Sequence, residues 1–214
     1  MLFKSFSEKI NTTLRRLSPA RRIFLSFALV IFAGSLLLSL PFVQATSSQA
    51  TYFDHLFTAV SMVCVTGLFT QPVAATYNIW GQLICMFLIQ IGGLGLMTFI
   101  GVFYIQSKQK LSLRSRETIL ESFSYGETHS LMVFIRSIFL TTFIVEGLGA
   151  FLLSFRFVPE FGWGRGIFTS IFVAISAFCN AGFDNFGSTS LVAFQTDPLI
   201  NLVLAALIIT GGLG

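Results

Sequence analysis

Charge is what this sequence has least of. Only 10% of its 214 residues are Asp, Glu, Lys or Arg, where a soluble domain carries about 25%. That scarcity excludes an ordinary cytosolic enzyme, because there is too little polar side chain to coat a surface facing water. Cysteine is sparse too: three residues are an odd number and too few for a disulfide scaffold. No CxxC or Cys/His pairing supports a metal centre. With neither HExxH nor GxSxG present, an intramembrane enzyme has no motif to rest on. What is abundant is apolar surface. The chain is 54% hydrophobic and 15% aromatic, with 26 Phe, which excludes a disordered chain and describes a membrane protein.

Charge-free runs mark the expected spans. Residues 23–43 read IFLSFALVIFAGSLLLSLPFV, about 32 Å of helix at 1.5 Å per residue, enough for one crossing. Pro41 stands where that helix can stop. A second span is expected over residues 77–106, which lack any Asp, Glu, Lys, Arg or His. A third is expected over about residues 131–155, with Glu146 near its middle, and a fourth from Pro198 onward. The first run is not a cleaved signal peptide, since it follows a long basic leader and no small-residue cleavage site comes after it.

Basic residues set the orientation. Eleven of the thirteen Lys and Arg fall before the first span, between the second and third, or at the start of the third; only Arg156 and Arg165 lie opposite. The positive-inside rule therefore places the N-terminus in the cytoplasm. The same distribution explains the net charge of +4 without nucleic acid as a partner; the partner it implies is the lipid bilayer.

Two outer segments are apolar but too short to cross. TYFDHLFTAVSMVCVTGLFT (51–70) and GIFTSIFVAISAFCNAGFDN (166–185) each run apolar for 10–13 residues and then break at a glycine. Such a segment reads as a half-helix entering the membrane with an extended return, tolerated only where it is buried in protein or lines a water-filled cavity. The two are related. FTAVSMVCVTGL (57–68) and FVAISAFCNAGF (172–183) share Phe, Ala, Ser, Cys and Gly at an offset of 115, and IGGLG (91–95) matches TGGLG (210–214) at 119. The chain is a tandem repeat of span, half-helix, span, in one orientation.

The break carries the chemistry. A half-helix ends in unpaired carbonyls and the negative pole of its dipole, which favours a cation. Val65, Thr66, Gly67 and Leu68, and their counterparts Asn180, Ala181, Gly182 and Phe183, would add backbone carbonyls that replace a cation's hydration shell. No carboxylate falls inside either strip; Asp54 and Asp184 flank them at the outer mouth, where they would raise the local cation concentration. Asp54 is equally placed to cap its half-helix with Thr51. The plainer alternative is that both segments are ordinary re-entrant packing elements.

At FTAVSMVCVTGL, IQIGGLGLMTF, ISAFCNAGF and ITGGLG the sequence resembles the Trk/Ktr/HKT superfamily of potassium transporters, most closely the KtrB type. The resemblance implies an all-α membrane protein of tandem parallel helix–pore loop–helix repeats, potassium-channel-like, with four transmembrane helices and two re-entrant half-helices. Its expected layout is a basic N-terminus (1–21), a first repeat (22–106; pore helix 51–63, filter 64–68), a cytoplasmic linker (107–129) and a second repeat (130–214; pore helix 166–178, filter 179–183). The implied function is potassium uptake as an ion-translocating subunit, with Gly67 and Gly182 as filter glycines. The cargo is K+ or also Na+, no covalent cofactor is expected, and the protein is not an enzyme. Implied partners are a second copy in a homodimer and a cytoplasmic nucleotide-binding regulatory subunit of the RCK/KtrA type.

Family members carry four repeats and this chain two, so a fragment of a longer protein is expected; the alternative is a truncated or accessory subunit without transport of its own. An aquaporin-like channel fits less well, since those repeats are inverted and carry Asn-Pro-Ala. Cys64, Cys85 and Cys179 read as packing residues, and Gly92, Gly93 and Gly95 as sites of close helix approach or a bend. Glu146 is expected in an ion pair with another helix, and His55 and His129 at interfaces or in solvent.

Overall fold

The computed structural model describes residues 19–95 and 128–213. Among these the chain is all-helical; the sole β feature is an isolated antiparallel bridge between Gln44 and Tyr77. Of the described residues, 30–95 and 138–213 form one compact unit, and 19–29 and 128–137 belong to a second. Residues 107–127 of the expected linker lie outside the described residues.

Helix α1 (Pro19–Leu38) leads into a 3-10 turn at Pro41–Val43. Ser35 in α1 returns its hydroxyl to the Phe32 carbonyl at 2.8 Å, so it sits inside an apolar run with its donor satisfied. Then come α2 (Tyr52–Val63), a single turn α3 (Val73–Thr76) and α4 (Ile79–Gly93). The second half repeats the order: α5 (Thr128–Phe161), α6 (Trp163–Phe178), a 3-10 turn (Ser190–Phe194) and α7 (Pro198–Gly212). Asn78 and Asp197 cap α4 and α7, each carbonyl or carboxylate oxygen accepting two N–H bonds of the first turn.

Residues 136–161 of α5 are long and apolar enough to cross a bilayer; among the described residues, 23–38 of α1 and the helices α4, α6 and α7 are shorter apolar stretches of 10–17 residues. The charge-free run 77–106 is not one helix, as its composition suggested. α4 stops at Gly93: the N–H groups of Leu94 and Gly95 turn back to the carbonyls of Gln90 (3.1 Å) and Gly92 (3.2 Å), and Gly95 adopts φ +77°. α6 begins at Trp163, three residues before the segment read from the sequence, because Arg165 lies 5.3 Å over the Phe161 ring and its charge does not interrupt the helix.

The repeat is visible in packing. Gly34 on α1 faces Leu88 on α4, and Gly149 on α5 faces Leu207 on α7, at the same offsets of 115 and 119; in both places an added Cβ would lie 2.7 Å from the leucine. In the second half, Leu153, Phe157, Val173, Ala174, Ile200 and Leu204 form a buried core. Phe157, Phe161, Phe186 and Phe194 stack above it at centroid distances of 5.2–6.2 Å.

His55 departs from expectation. It is 2% exposed, and its Nδ1 is 2.9 Å from the Tyr77 hydroxyl, joining α2 to the start of α4. An imidazole satisfied by a phenol is stable in a dry place that a free one would avoid.

Candidate functional site

The site is built from the ends of α2 and α6 and the strips that follow. Residues 57–63 and 172–178 place small residues (Ala59, Ser61; Ala174, Ser176) on the buried face of each helix, which brings the partner helix close. Each helix then ends at a cysteine. The N–H groups of Cys64 and Cys179 bond to Val60 and Ile175 at 2.8 and 2.9 Å, and those of Thr66 and Ala181 to Ser61 and Ser176 carbonyls, both at 2.8 Å.

A second tie repeats as faithfully. The N–H of Leu68 donates to the Ser61 hydroxyl at 3.0 Å, and that of Phe183 to the Ser176 hydroxyl at 2.8 Å. In each strip three of the four N–H groups, those of Val65, Thr66 and Leu68 and those of Asn180, Ala181 and Phe183, bond back to the strip's own helix. Among the described residues, the carbonyl oxygens of residues 65–68 and 180–183 accept no hydrogen bond. Free acceptors that outnumber free donors make a surface that attracts cations.

Backbone handedness also repeats. Val65 (φ +54°) and Gly67 (+77°) are left-handed in the first strip, Asn180 (+57°) and Gly182 (+69°) in the second. A left-handed residue at every second position turns alternate peptide groups over, so carbonyls that would alternate along an extended strand can share a side. For Val65 such a φ is costly, and unfavourable backbone of this kind persists where surrounding bonds enforce it.

The strips meet at their glycines. A Cβ on Gly67 would lie 2.9 Å from the Ala181 carbonyl oxygen, and one on Gly182 would lie 3.5 Å from the Gly67 Cα. Ala181 and Phe183 are buried, while Thr66, Leu68, Asn180 and Gly182 are exposed. Close packing by Gly92, Gly93 and Gly211 holds this geometry. Gly92 abuts the Val63 carbonyl at the end of α2, and Gly211 abuts the equivalent Phe178 carbonyl at the end of α6.

The two aspartates tie loops. Asp54 accepts the N–H (2.8 Å) and hydroxyl (2.7 Å) of Thr51 and the hydroxyl of Thr70 (2.6 Å), so it both caps α2 and closes the loop that returns from the strip. Hydrogen bonds from Thr70 and Thr51 hold its carboxyl down at about 2, so it stays ionised at any physiological pH. Asp184 accepts the Phe186 N–H at 3.0 Å and the Ser190 hydroxyl.

Glu146 makes no ion pair among the described residues. Its partner is Gln90, whose Nε2 donates at 2.9 Å. The salt bridge present, Arg156 to Asp197 at 3.0 Å, lies elsewhere. Cys85 and Cys179 are buried as packing residues are, but Cys64 is exposed. Among the described residues no group of three His, Cys, Asp or Glu is arranged to hold a metal. Three contributors escaped sequence reading: Ser61 and Ser176, whose identity at matching repeat positions was the available signal, and Gln90, an amide in an otherwise mostly apolar run.

Replacing either serine by Ala leaves a strip N–H without its acceptor. Each variant is expected to lose about 1–3 kcal/mol of stability, and Ser176→Ala more than Ser61→Ala because the Phe183 N–H is the more deeply buried. Thermal unfolding of the purified protein in detergent checks this; an unchanged Tm in both would mean the strips are held by something else.

Comparison with known proteins places these features in context. Residues 12–214 match the family model TrkH, described as "Cation transport protein". The chain is 43% identical over 200 residues to "Potassium/sodium uptake protein NtpJ" of Enterococcus hirae, covering 94% of this chain and 44% of that protein. It is 38% identical over 199 residues to "Ktr system potassium uptake protein B" of Bacillus subtilis (93% and 44%), and 39% identical over 194 residues to the protein of that name in Vibrio alginolyticus (91% and 42%). The chain therefore spans less than half the length of these curated relatives.

Proposed function

Since the chain belongs to the TrkH family of cation transport proteins, a membrane transporter family, we propose that it supplies potassium-conducting elements to a Trk/Ktr-type uptake system. Helices α2 and α6 are the pore half-helices of two parallel repeats. Val65, Thr66, Gly67 and Leu68 with Asn180, Ala181, Gly182 and Phe183 are two sides of a selectivity filter. Their carbonyls stand in for the hydration shell of a monovalent cation, and the negative helix poles behind them favour its charge.

One observation carries this reading. Both strips return three of their four N–H groups to their own helix, carry left-handed residues at the same two positions, and meet at Gly67 and Gly182. Ordinary re-entrant packing has no need for two copies of one backbone face with its carbonyls left free. Asp54 and Asp184 concentrate cations at the outer mouth. The cargo is K+, with Na+ as the competing ion. The chain crosses the membrane several times with its N-terminus in the cytoplasm. Its partners are a second copy of itself and a cytoplasmic nucleotide-binding regulatory subunit.

The test is growth of a potassium-uptake-deficient cell at low external potassium. A chimera in which this chain replaces the matching portion of the Enterococcus hirae relative should restore growth and potassium accumulation. A chimera that reaches the membrane and transports nothing would favour a subunit without transport of its own.

A further inference from the structure

Glu146 is 5% exposed on α5, in the apolar stretch 136–161. Besides its bond from Gln90, its Oε1 lies 4.0 Å from the Cys179 Sγ, which is also 3.9 Å from the Gln90 Oε1. Three elements converge here: α4 with Gln90, α5 with Glu146, and the C-cap of α6 with Cys179. One turn along α4, Gly93 leaves the space the thiol occupies; a Cβ there would lie 2.4 Å from both the Cys179 Cβ and its Sγ. Cys179 is the residue immediately before the second strip.

The internal repeat supplies a comparison within the same molecule. At the offsets already given, Glu146 corresponds to Ile31, Gln90 to Ile209 and Cys179 to Cys64. Cys64 is exposed, and neither isoleucine can hydrogen-bond. The polar pair is therefore particular to the place where α4 and α5 meet and is not a requirement of the repeat. A carboxyl and an amide cost desolvation in a dry site, and what they add is direction: a hydrogen-bonded network in a low dielectric fixes orientation in a way that dispersion contacts do not.

We propose that Glu146, acting through Gln90 and Cys179, is a positioning residue that fixes the second strip relative to the first and so sets cation discrimination. The inference rests on the filter reading above. A binding site loses its selectivity when its groups drift by more than about 0.5 Å, and the base of this strip is the point the network holds. The first strip, meanwhile, is fixed from behind by Gly92 against the end of α2.

The experiment measures potassium over sodium preference in uptake by the intact protein as its gene encodes it, with membrane content quantified. Glu146→Gln keeps an oxygen for Gln90 but removes the charge; its preference should stay within twofold of wild type. Glu146→Ile with Gln90→Ile places at each position the residue found at its equivalent in the other repeat, so it should insert normally yet lose preference at least tenfold. Cys179→Ala leaves the Glu146–Gln90 bond intact and frees only the strip's base; it should lose preference several-fold, and it decides the matter should the double variant fail to insert. Wild-type preference in the double variant or in Cys179→Ala overturns the proposal. So does a loss in Glu146→Gln equal to that of the double variant, which would indicate a through-space effect of charge. Gly67→Ser and Gly182→Ser run alongside: if they abolish preference while the Glu146 set does not, only this inference fails; if they too leave it unchanged, the filter reading fails.

Discussion

Gly67→Ser and Gly182→Ser, made singly, are expected to lower potassium over sodium preference at least tenfold, with Gly67→Ser the more damaging. At φ +77° and +69° an L side chain is strained whatever space surrounds it, at a cost of roughly 1–2 kcal/mol. Gly67 bears a second penalty. Its Cβ would press to 2.9 Å on the Ala181 carbonyl oxygen, one of the proposed ion ligands and part of a backbone that its own helix holds. Gly182 meets only the Gly67 Cα, at an ordinary 3.5 Å, so its serine acts mainly through the backbone turn. A tenfold change corresponds to about 1.4 kcal/mol of differential ion binding, within reach of either effect. Competitive uptake of the two ions reads it directly, and unchanged preference in both variants would remove the filter assignment.

Gly211→Ala is expected to have the largest effect on stability. Its Cβ would fall 1.8 Å from the Phe178 carbonyl oxygen and 2.7 Å from the carbon. Both are backbone atoms at the end of α6, so no rotamer change relieves the clash, and α7 must withdraw from α6. Overpacking of this kind costs on the order of 3 kcal/mol. Gly212→Ala is the matched control, since its nearest neighbour is the Asn180 Nδ2 at 3.5 Å. Folded yield and Tm in detergent should fall sharply for Gly211→Ala and hardly for Gly212→Ala; equal behaviour would mean that the α6–α7 approach is looser than described.

These glycines show what could be read from the sequence. The apolar runs and the recurrence of Phe, Ala, Ser, Cys and Gly at one spacing located the helices α2 and α6, and the recurring GGLG pointed to close approach. Hydrophobicity alone could not place the end of α4, because residues 77–106 carry no charge and stay largely apolar on both sides of Gly93, and the turn at Leu94 and Gly95 is a matter of backbone conformation. The partner of Glu146 was invisible for a similar reason. Charge complementarity points to Arg, whereas the bond is made by an uncharged amide 56 positions away in sequence. His55 was misplaced because its phenol partner, Tyr77, is 22 positions distant. Local rules see neighbours along the chain, and each of these pairings is made by tertiary contact.

The serine ties have a mechanical consequence. Because residues 65–68 and 180–183 are lashed to the final turns of α2 and α6, strip and helix travel as one rigid piece. Any widening of the gap between Gly67 and Gly182 is then a tilt of a whole helix about its N-terminal end, which in α2 is the capping box of Thr51 and Asp54.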